Sequence, residues 1–427
     1  MRVLGLLLAA TLGVASPLGQ TAKISYDGYK VYRVSLNSQH EASLRRLPAV
    51  ELQRRRGSGE TSTVDLAVSP AAIQAFEATG LTATATLLSR DLGADIDAEV
   101  AGQSKYERTA TGSLPSLDWF DAYHAYEDHV GYWADLHAAF PENSELITVG
   151  ESFEGRALQG IHLFGKDGKD EKPAIFFNGN VHAREWITSM VVEYILYQLI
   201  SGYAEDEVVT KILDNYDFYV LPVVNPDAKK RTGFAYSQTT DRLWRKNRQT
   251  RSNTTAIGTD INRNWAVGWG GAGGSSSDPS DEEFSGFAPL DAPETAALAA
   301  YAARLRDLNG IKLYVDWHSP AQVILLSYGY TCDDFPANVD EQVELAKGVS
   351  EAIAKPYNTT FAYGPGCLVL YQSNGNGRDY LTDVGKAEFG WGIELRDTQY
   401  GFLLPAAQIL PSGIEIWEGM KYIWGQF

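Results

Sequence analysis

Two fragments that follow strand-like runs constrain the fold of this chain more than any other feature. Residues 174–177 precede His182, and residues 312–315 precede His318. Such runs alternate with segments of helical periodicity, which predicts an α/β layered domain with partly parallel strands. Sites in open α/β sheets form beyond the carboxyl ends of the strands. We therefore predict a mixed, mostly parallel central sheet, flanked by helices on both faces, that brings His182 and His318 together.

Other segments fit the same layered arrangement. Residues 218–221 and 391–395 are further strand-like runs, and residues 188–200 carry apolar positions at helical spacing. Asp291 is followed three residues later by Glu294, which is the spacing of a capping box. This pair predicts the start of an Ala-rich helix.

The two fragments together supply two imidazoles and one carboxylate, from His182, Glu185 and His318. Each histidine taken singly is more often structural, and a bare His-x-x-Glu pattern is common. In combination they form the three-ligand set that holds a catalytic zinc ion and leaves a fourth position for water. Zinc lowers the pKa of that water to about 7. The sequence therefore predicts one zinc ion per chain and hydrolytic chemistry.

Other ionisable residues have both a structural and a functional interpretation. Glu394 ends an apolar run, where a carboxylate is costly to bury unless it pairs with a cation such as Arg396 or acts as a general acid/base. Arg245 and Arg263 lie in basic segments that could be solvated faces or could bind a carboxylate or an oxyanion. Tyr371 precedes a Gly/Asn-rich stretch suited to a mobile loop, although an ordinary half-buried tyrosine would also fit.

The first part of the chain predicts export and a separate small domain. Residues 1–16 have the basic start, short apolar run and small residues of a secretory signal peptide. Residues 17–108 alternate at 29–34 and 82–87, with a helix-like stretch between, which predicts a small α+β domain. No other stretch reaches the length of a membrane span, so we expect a soluble, secreted protein.

The segment from Lys105 to Thr109 is basic and is followed by small polar residues, as an exposed, cleavable linker should be. It predicts an activation site between the small domain and a domain over residues 109–427. The net charge of -18 argues against nucleic-acid or anionic-membrane partners, which need a basic footprint. We expect a monomer.

Two further predictions follow from an exported chain. Cys332 and Cys367 are expected to form one disulfide rather than to remain two free thiols. Asn253 and Asn358 begin acceptor patterns for glycosylation, although such short patterns also match by chance.

With these fragments in this order, the sequence resembles the secreted zinc metallocarboxypeptidases of the pancreatic carboxypeptidase A/B type. The resemblance covers essentially the whole chain. It implies a signal peptide, a ferredoxin-like open-sandwich prodomain and a catalytic domain. It further implies a zymogen whose mature enzyme hydrolyses the C-terminal peptide bond of peptides and proteins, after an activating protease cuts near Lys105 to Thr109.

By motif, the resemblance gives zinc to the three ligands, the general acid/base role to Glu394 and polarisation of the scissile carbonyl to Arg245. A charge-assisted hydrogen bond contributes roughly 1.5 to 3 kcal/mol, so recognition of a free carboxylate can exclude internal peptide bonds. The residues that the resemblance assigns to the terminal carboxylate are Arg184, Asn262, Arg263 and Tyr371.

Specificity in this family depends on the residue seven places after the loop tyrosine, which here is Arg378. Family members with an aliphatic residue there prefer aromatic or aliphatic C-termini, and those with Asp prefer Lys or Arg. The resemblance implies that Arg378 pairs with a C-terminal Glu or Asp and that the disulfide braces the pocket loop. One extra residue between Asp379 and Glu394 departs from the pancreatic pattern.

Several alternatives are also compatible with the sequence. Arg378 could pair with an acidic neighbour or point to solvent, and the enzyme could then have the A-type preference for aromatic or aliphatic C-termini. Remoter alternatives are a zinc deacylase of N-acyl amino acids and a non-catalytic zinc-binding protein on the same scaffold.

Overall fold

A computed structural model describes residues 23–37, 40, 44, 47, 49–56, 62–110, 112–227, 233–396 and 399–427. The signal peptide that the sequence predicts at residues 1–16 lies outside the described residues. Within these ranges, no helix combines the length and apolar character that a bilayer crossing requires.

The N-terminal part forms a four-stranded sheet in the order β2-β3-β1-β4, with every pairing antiparallel. Its strands are β1 (Lys30–Leu36), β2 (Ala49–Arg56), β3 (Ser62–Val68) and β4 (Thr86–Ser89). Helix α1 (Ile73–Ala78) contributes to a core on one face, whereas α2 (Leu92–Ala101) contributes to a second core that also includes residues Leu243 and Phe402. This is the predicted small α+β unit.

The strand predicted at residues 82–87 is partly wrong. A 3-10 turn occupies Leu81–Thr84, and the strand begins only at Thr86. Gly80 has a φ of 75°, in the left-handed region that glycine adopts without a steric cost, and it turns the chain directly after α1. The alternating Thr and Ala residues that follow therefore continue a turn.

The second sheet has eight strands in the order β11-β10-β12-β9-β7-β8-β6-β5. The four runs recognised in the sequence are its neighbouring strands β12, β9, β7 and β8, and these are mutually parallel, as predicted. The remaining pairings include three antiparallel ones, so the sheet is mixed. The strands are β5 (Ser144–Glu151), β6 (Ala157–Leu163), β7 (Ala174–Asn178), β8 (Asp217–Leu221), β9 (Ile311–His318), β10 (Val323–Leu326), β11 (Ala362–Pro365) and β12 (Phe389–Glu394).

Helices cover both faces of this sheet because alternate strand residues point to opposite sides. Phe177 and Trp317 belong to one core cluster, with residues of α4, α8 and α11, whereas Phe176 and Tyr314 belong to another, with residues of α7. The helices are α3 (Tyr126–Ala139), α4 (Trp186–Gly202), α5 (Glu207–Asn215), α6 (Gly233–Thr239), α7 (Pro293–Leu308), α8 (Val339–Tyr357), α9 (Gly366–Val369), α10 (Gly377–Asp383) and α11 (Ile409–Trp424).

Helix α7 begins where the sequence predicts, but without the expected capping box. Its N-cap is Ala292, which supplies no side-chain hydrogen bond. The Asp291 carboxylate instead accepts a hydrogen bond from Asn264. Glu294 is buried and accepts hydrogen bonds from the Phe153 backbone N–H and the Asn247 amide. Tertiary partners therefore outcompete the local capping contacts.

Candidate active site

The predicted metal ligands meet at the carboxyl ends of β7 and β9. His182 lies between β7 and α4, Glu185 immediately precedes α4, and His318 is the last residue of β9. The His182 Nδ1 atom lies 2.8 Å from Glu185 Oε1 and 3.2 Å from His318 Nδ1. The other oxygen of Glu185 lies 3.1 Å from His318 Nδ1. All three side chains are buried, and their donor atoms lie within 4.8 Å of one another.

Two carboxylates that the sequence did not single out orient the imidazoles. Asp260 Oδ1 lies 3.1 Å from Nε2 of His182, and Asp316 Oδ2 lies 2.9 Å from Nε2 of His318. A proton held on each Nε2 leaves both Nδ1 lone pairs facing Glu185, which is how outer carboxylates orient metal-binding histidines. Two imidazole nitrogens and a carboxylate that converge in this way are a donor set that suits zinc.

Opposite charges compensate the buried groups here. Burial opposes ionisation of Glu185, but the two imidazoles outweigh it and lower the pKa of the carboxyl group. Asp260 Oδ2 accepts hydrogen bonds from Arg245 Nε at 3.0 Å and from Nη2 at 2.8 Å. This pair holds the pKa of Asp260 well below its ordinary value despite burial. Asp260 thus connects a metal-site histidine to the arginine predicted at the scissile carbonyl.

Glu394 lies at the end of β12, beside the metal-ligand cluster. In the parallel pairing of β12 with β9, Glu394 is in register with His318. The alternative of an ion pair with Arg396 is wrong, because Arg396 donates to Glu415 at 2.8 Å. Desolvation raises the pKa of the Glu394 carboxyl group above its ordinary value. A carboxyl group with a raised pKa is suited to both accepting and returning a proton near neutral pH.

The two arginines predicted to bind a terminal carboxylate pair with acidic side chains. Arg263 Nη2 donates to Glu283 Oε1 at 3.0 Å, and Arg184 Nη1 lies 3.3 Å from Glu282 Oε2. Both arginines are buried, whereas both glutamates are partly exposed. Tyr371 is half-buried, with its ring centroid 6.0 Å from Arg263 Cζ.

Asn262 directly precedes Arg263 and connects two parts of the site. Its Nδ2 atom lies 3.0 Å from His318 Nε2, and its Oδ1 accepts a hydrogen bond from the backbone N–H of Gly377 at 2.9 Å. Asn262 therefore lies between the metal ligands and the start of α10.

Comparison with known proteins decides what kind of enzyme this arrangement serves. The family model of the zinc carboxypeptidases, peptidase family M14, matches residues 129–419, which is more than half of the chain. The chain belongs to the zinc carboxypeptidase family. This membership implies zinc as the metal and peptide C-termini as the substrate, and it decides against the deacylase and the non-catalytic binding protein.

Two of three relatives of this carboxypeptidase match nearly the whole chain. A metallocarboxypeptidase A-like protein of Trichophyton verrucosum is 40% identical, over 98% of this chain and 97% of its own length. Carboxypeptidase A2 of Rattus norvegicus is 36% identical over 71% of this chain and 70% of its own. The crystal structure of carboxypeptidase A from Helicoverpa armigera matches with a TM-score of 0.78 and 27% identity, covering 94% of this chain and 97% of that one.

A buried cation occupies the predicted specificity position of the carboxypeptidase. Arg378, in α10, is 5% exposed, which excludes the interpretation that it points to solvent. Its Nη2 donates to Ser373 Oγ at 3.2 Å, while its buried Nε has no hydrogen-bond partner among the described residues. Its acidic neighbour is Asp379, whose Oδ1 forms an ion pair with Nε at 3.7 Å, a distance beyond that of a hydrogen bond.

Glycines make the space that the Arg378 guanidinium occupies. A Cβ atom on Gly329 or Gly366 would lie 2.1 or 2.3 Å from Arg378 Nη2, although neither residue has a φ that requires glycine. A Cβ on Gly392 would lie 3.5 Å from Nη1. Gly392 and Glu394 are two residues apart on β12, roughly 7 Å along the strand, and share a face, so the guanidinium lies on the side of the sheet to which Glu394 points.

The two cysteines are paired as the sequence predicts. Cys332 and Cys367 form a disulfide with Cα atoms 5.3 Å apart. The Arg378 pocket is the space around the Arg378 guanidinium, which is lined by Gly329, Gly366 and Gly392. Since Cys367 follows Gly366, the disulfide connects one wall of this pocket to the loop after β10.

Proposed function

We propose that His182, Glu185 and His318 hold one zinc ion per chain and that Glu394 and Arg245 perform the catalytic steps around it. The convergence of both Nδ1 atoms on Glu185, with Glu394 in register beside His318, carries this proposal. Zinc bound there would supply a Lewis acid and lower the pKa of water to about 7.

Glu394 accepts the proton of the attacking water and later donates it to the leaving amine. Its raised pKa suits both transfers. The Arg245 guanidinium stabilises the oxyanion that develops on the scissile carbonyl, because Asp260 keeps it charged and fixes its plane.

Recognition of the terminal carboxylate would make the enzyme an exopeptidase. We assign this task to Asn262, Arg263 and Tyr371, with Arg184 as an auxiliary docking residue. Glu283 lies on Arg263 in the structure, so the incoming carboxylate competes with the exposed side chain of Glu283. The binding free energy that the substrate carboxylate gains from Arg263 is therefore smaller than it would be from an unpaired guanidinium.

The pocket further supports a preference for C-terminal Glu or Asp. Arg378 is buried and presents donors that no described carboxylate accepts at hydrogen-bond distance. A substrate carboxylate would satisfy them with charge-assisted hydrogen bonds, whereas an aromatic side chain would leave the buried guanidinium with only the longer ion pair to Asp379. A preference for aromatic or aliphatic residues remains the second candidate, because the relatives have the names carboxypeptidase A2 and metallocarboxypeptidase A.

We also infer a secreted zymogen in which the N-terminal unit is an inhibitory prodomain. The carbonyl oxygen of Leu52 lies 3.4 Å from Arg184 Nη2, and Glu99 of α2 pairs with Arg242 at 3.0 Å. Residues of the N-terminal unit therefore contact the segments that carry the proposed substrate-binding arginines. Proteolysis between the two units would allow the N-terminal unit to dissociate and would thereby remove these contacts from the site.

The remaining expectations are part of the same proposal. Asn253 and Asn358 are exposed and thus accessible for glycosylation in an exported protein. We expect a monomer without nucleic-acid or membrane partners.

Metal analysis combined with a peptidase assay tests the proposed function. After trypsin treatment, we expect one zinc ion per chain and release of single C-terminal residues. Activity should be lost on chelation and restored by zinc. Activity that persists in the metal-free protein would contradict the proposed zinc site.

A further inference from the structure

The segment between the two units contains two cationic side chains with different surroundings. Lys105 is exposed and forms no ion pair with any residue that the structure describes. Arg108 donates to Asp135 Oδ1 from Nε at 2.8 Å and from Nη2 at 2.6 Å. Both side chains are exposed, but only the lysine can enter the acidic pocket of a protease that cuts after basic residues without first breaking an ion pair.

Asp135 also holds the backbone around Arg108. Its Oδ2 accepts a hydrogen bond from the backbone N–H of Thr109 at 2.9 Å and one from the Tyr106 hydroxyl at 2.8 Å. The Asp135 side chain is only 6% exposed, so removing Arg108 would leave a largely buried carboxylate without its cation. The Arg108 side chain is 59% exposed, so solvent moderates the cost of breaking this pair and keeps it below that of a fully buried pair.

Helix α3 provides a fitted surface for the residues after Lys105. Gly131 lies one turn before Asp135, and a Cβ atom there would approach Arg108 Cδ to 3.2 Å. The Tyr106 ring packs edge-on against Trp119, with centroids 5.0 Å apart. Residues from Tyr106 onward are thus packed on the C-terminal unit.

Residues before this point have fewer contacts with that unit. Ser104 donates its N–H to the Tyr123 carbonyl at 3.3 Å, and its own carbonyl lies 2.8 Å from His124 Nδ1. A protease must loosen this contact and that of Tyr106 to cut after Lys105. To cut after Arg108 it must also break the ion pair with Asp135.

We propose that activation cleaves the Lys105–Tyr106 bond, by a protease of trypsin-like specificity, and that Asp135 protects the Arg108–Thr109 bond. Hydrolysis leaves a carboxylate on Lys105 and an amino group on Tyr106. The mature enzyme then begins at Tyr106 rather than at Thr109. This inference rests on the proposed zymogen and names the bond that regulates it.

Brief trypsin treatment of the full chain, followed by N-terminal sequencing of the larger product, tests the proposal. A product that begins at Tyr106 should form first, about tenfold faster than one that begins at Thr109, the equivalent of one charge-assisted hydrogen bond. Lys105→Gln should abolish the Tyr106 product, and the matched variant Arg108→Gln should retain it. Early appearance of Thr109 as the first residue would overturn the inference.

Asp135→Asn tests the protective role, because it keeps the shape of the side chain but removes its charge. In this variant the Thr109 product should form at a rate similar to the Tyr106 product; an unchanged ratio would contradict the role of Asp135. If Asp135→Asn does not fold, Arg108→Gln provides a second test. A lysine-specific protease should still cut this variant after Lys105. Parallel activity assays separate the two proposals: a Tyr106 product without any gain in activity refutes the zymogen and not the cleavage site.

Discussion

The two ends of the proposed substrate site differ in how closely their buried charged groups are paired with groups of opposite charge. At the metal-ligand end, Glu185 lies among two imidazoles and Asp260 among His182 and Arg245, so each carboxylate has its compensating partners within the protein. At the pocket end, Arg378 is equally buried, but it donates a hydrogen bond to Ser373 and its neighbouring carboxylate, Asp379, lies 3.7 Å away, beyond hydrogen-bond distance. In the first arrangement the charges of Glu185 and Asp260 are compensated before substrate binds, whichever peptide it is. The second is completed by the substrate and can therefore select among peptides.

The largest effect should come from the catalytic end. Glu394→Gln removes the group that transfers the proton, so we expect kcat to fall by about 10²- to 10⁴-fold on every peptide, with zinc content unchanged. Steady-state kinetics with metal analysis measures both. Glu388→Gln, which changes a surface carboxylate paired with Lys312, is the matched control and should have little effect. Substantial residual turnover in Glu394→Gln would refute the acid/base role.

The pH dependence of activity provides a second test of the acid/base role of Glu394. The general base must be ionised to accept a proton, and burial raises the pKa of Glu394. Activity should therefore decline as the pH falls through this raised value, at a pH above that of an ordinary glutamate. The same acid limb should appear with Glu- and Phe-ending peptides. With the Phe-ending peptide, whose side chain does not titrate, an acid limb at the ordinary pKa of glutamate would contradict the assignment to Glu394.

The next largest effect should be confined to the pocket. Arg378→Ile should lower kcat/KM for a Glu-ending peptide by roughly 10- to 100-fold, the equivalent of one lost charge-assisted hydrogen bond, and raise it for a Phe-ending peptide. Arg378→Lys keeps the charge but loses the fork geometry, so an intermediate loss is expected. Equal losses on both peptides would show that Arg378 is structural.

A smaller effect should follow from filling the glycine space. Gly366→Ala places a Cβ atom against the guanidinium and should reduce the Glu preference by about tenfold. In the Arg378→Ala background the same change should have little effect, because the clash is gone. A double-mutant cycle on the ratio of kcat/KM values measures this coupling. Additive changes would mean that Gly366 does not position Arg378.

The smallest effect should come from the site that binds the terminal carboxylate, which all substrates share. Glu283→Gln weakens a partly exposed competitor for Arg263, so KM should fall by about two- to fivefold for every peptide while the Glu-to-Phe ratio stays constant. A rise in KM would instead assign Glu283 the task of holding Arg263 in place.

The sequence predicted those parts of the site that depend on chain order and strand ends. The four central strands are short apolar runs, and His182, His318 and Glu394 follow or end them, so their convergence could be anticipated from the rule for parallel sheets. The carboxylates Asp260 and Asp316 could not, because their roles depend on which imidazole the folded chain places beside them.

Other features also depend on tertiary partners. The capping box at α7 failed because Phe153 and Asn247 take the Glu294 carboxylate. The pairing of Arg263 with Glu283 crosses twenty residues of irregular chain without a periodic signal. The sequence identified Arg378 as unusual by its position. Its burial, its distance from the Asp379 carboxylate and the glycines that surround its guanidinium are known only from the structure.

Direct comparison of C-terminal residues tests the central claim that the pocket end is completed by the substrate. The enzyme processed with trypsin should be assayed on matched peptides that differ only in a final Glu, Phe or Lys. We predict that kcat/KM is highest for Glu, by at least about tenfold over Phe and more over Lys. Fast release of Phe with negligible release of Glu would contradict the account.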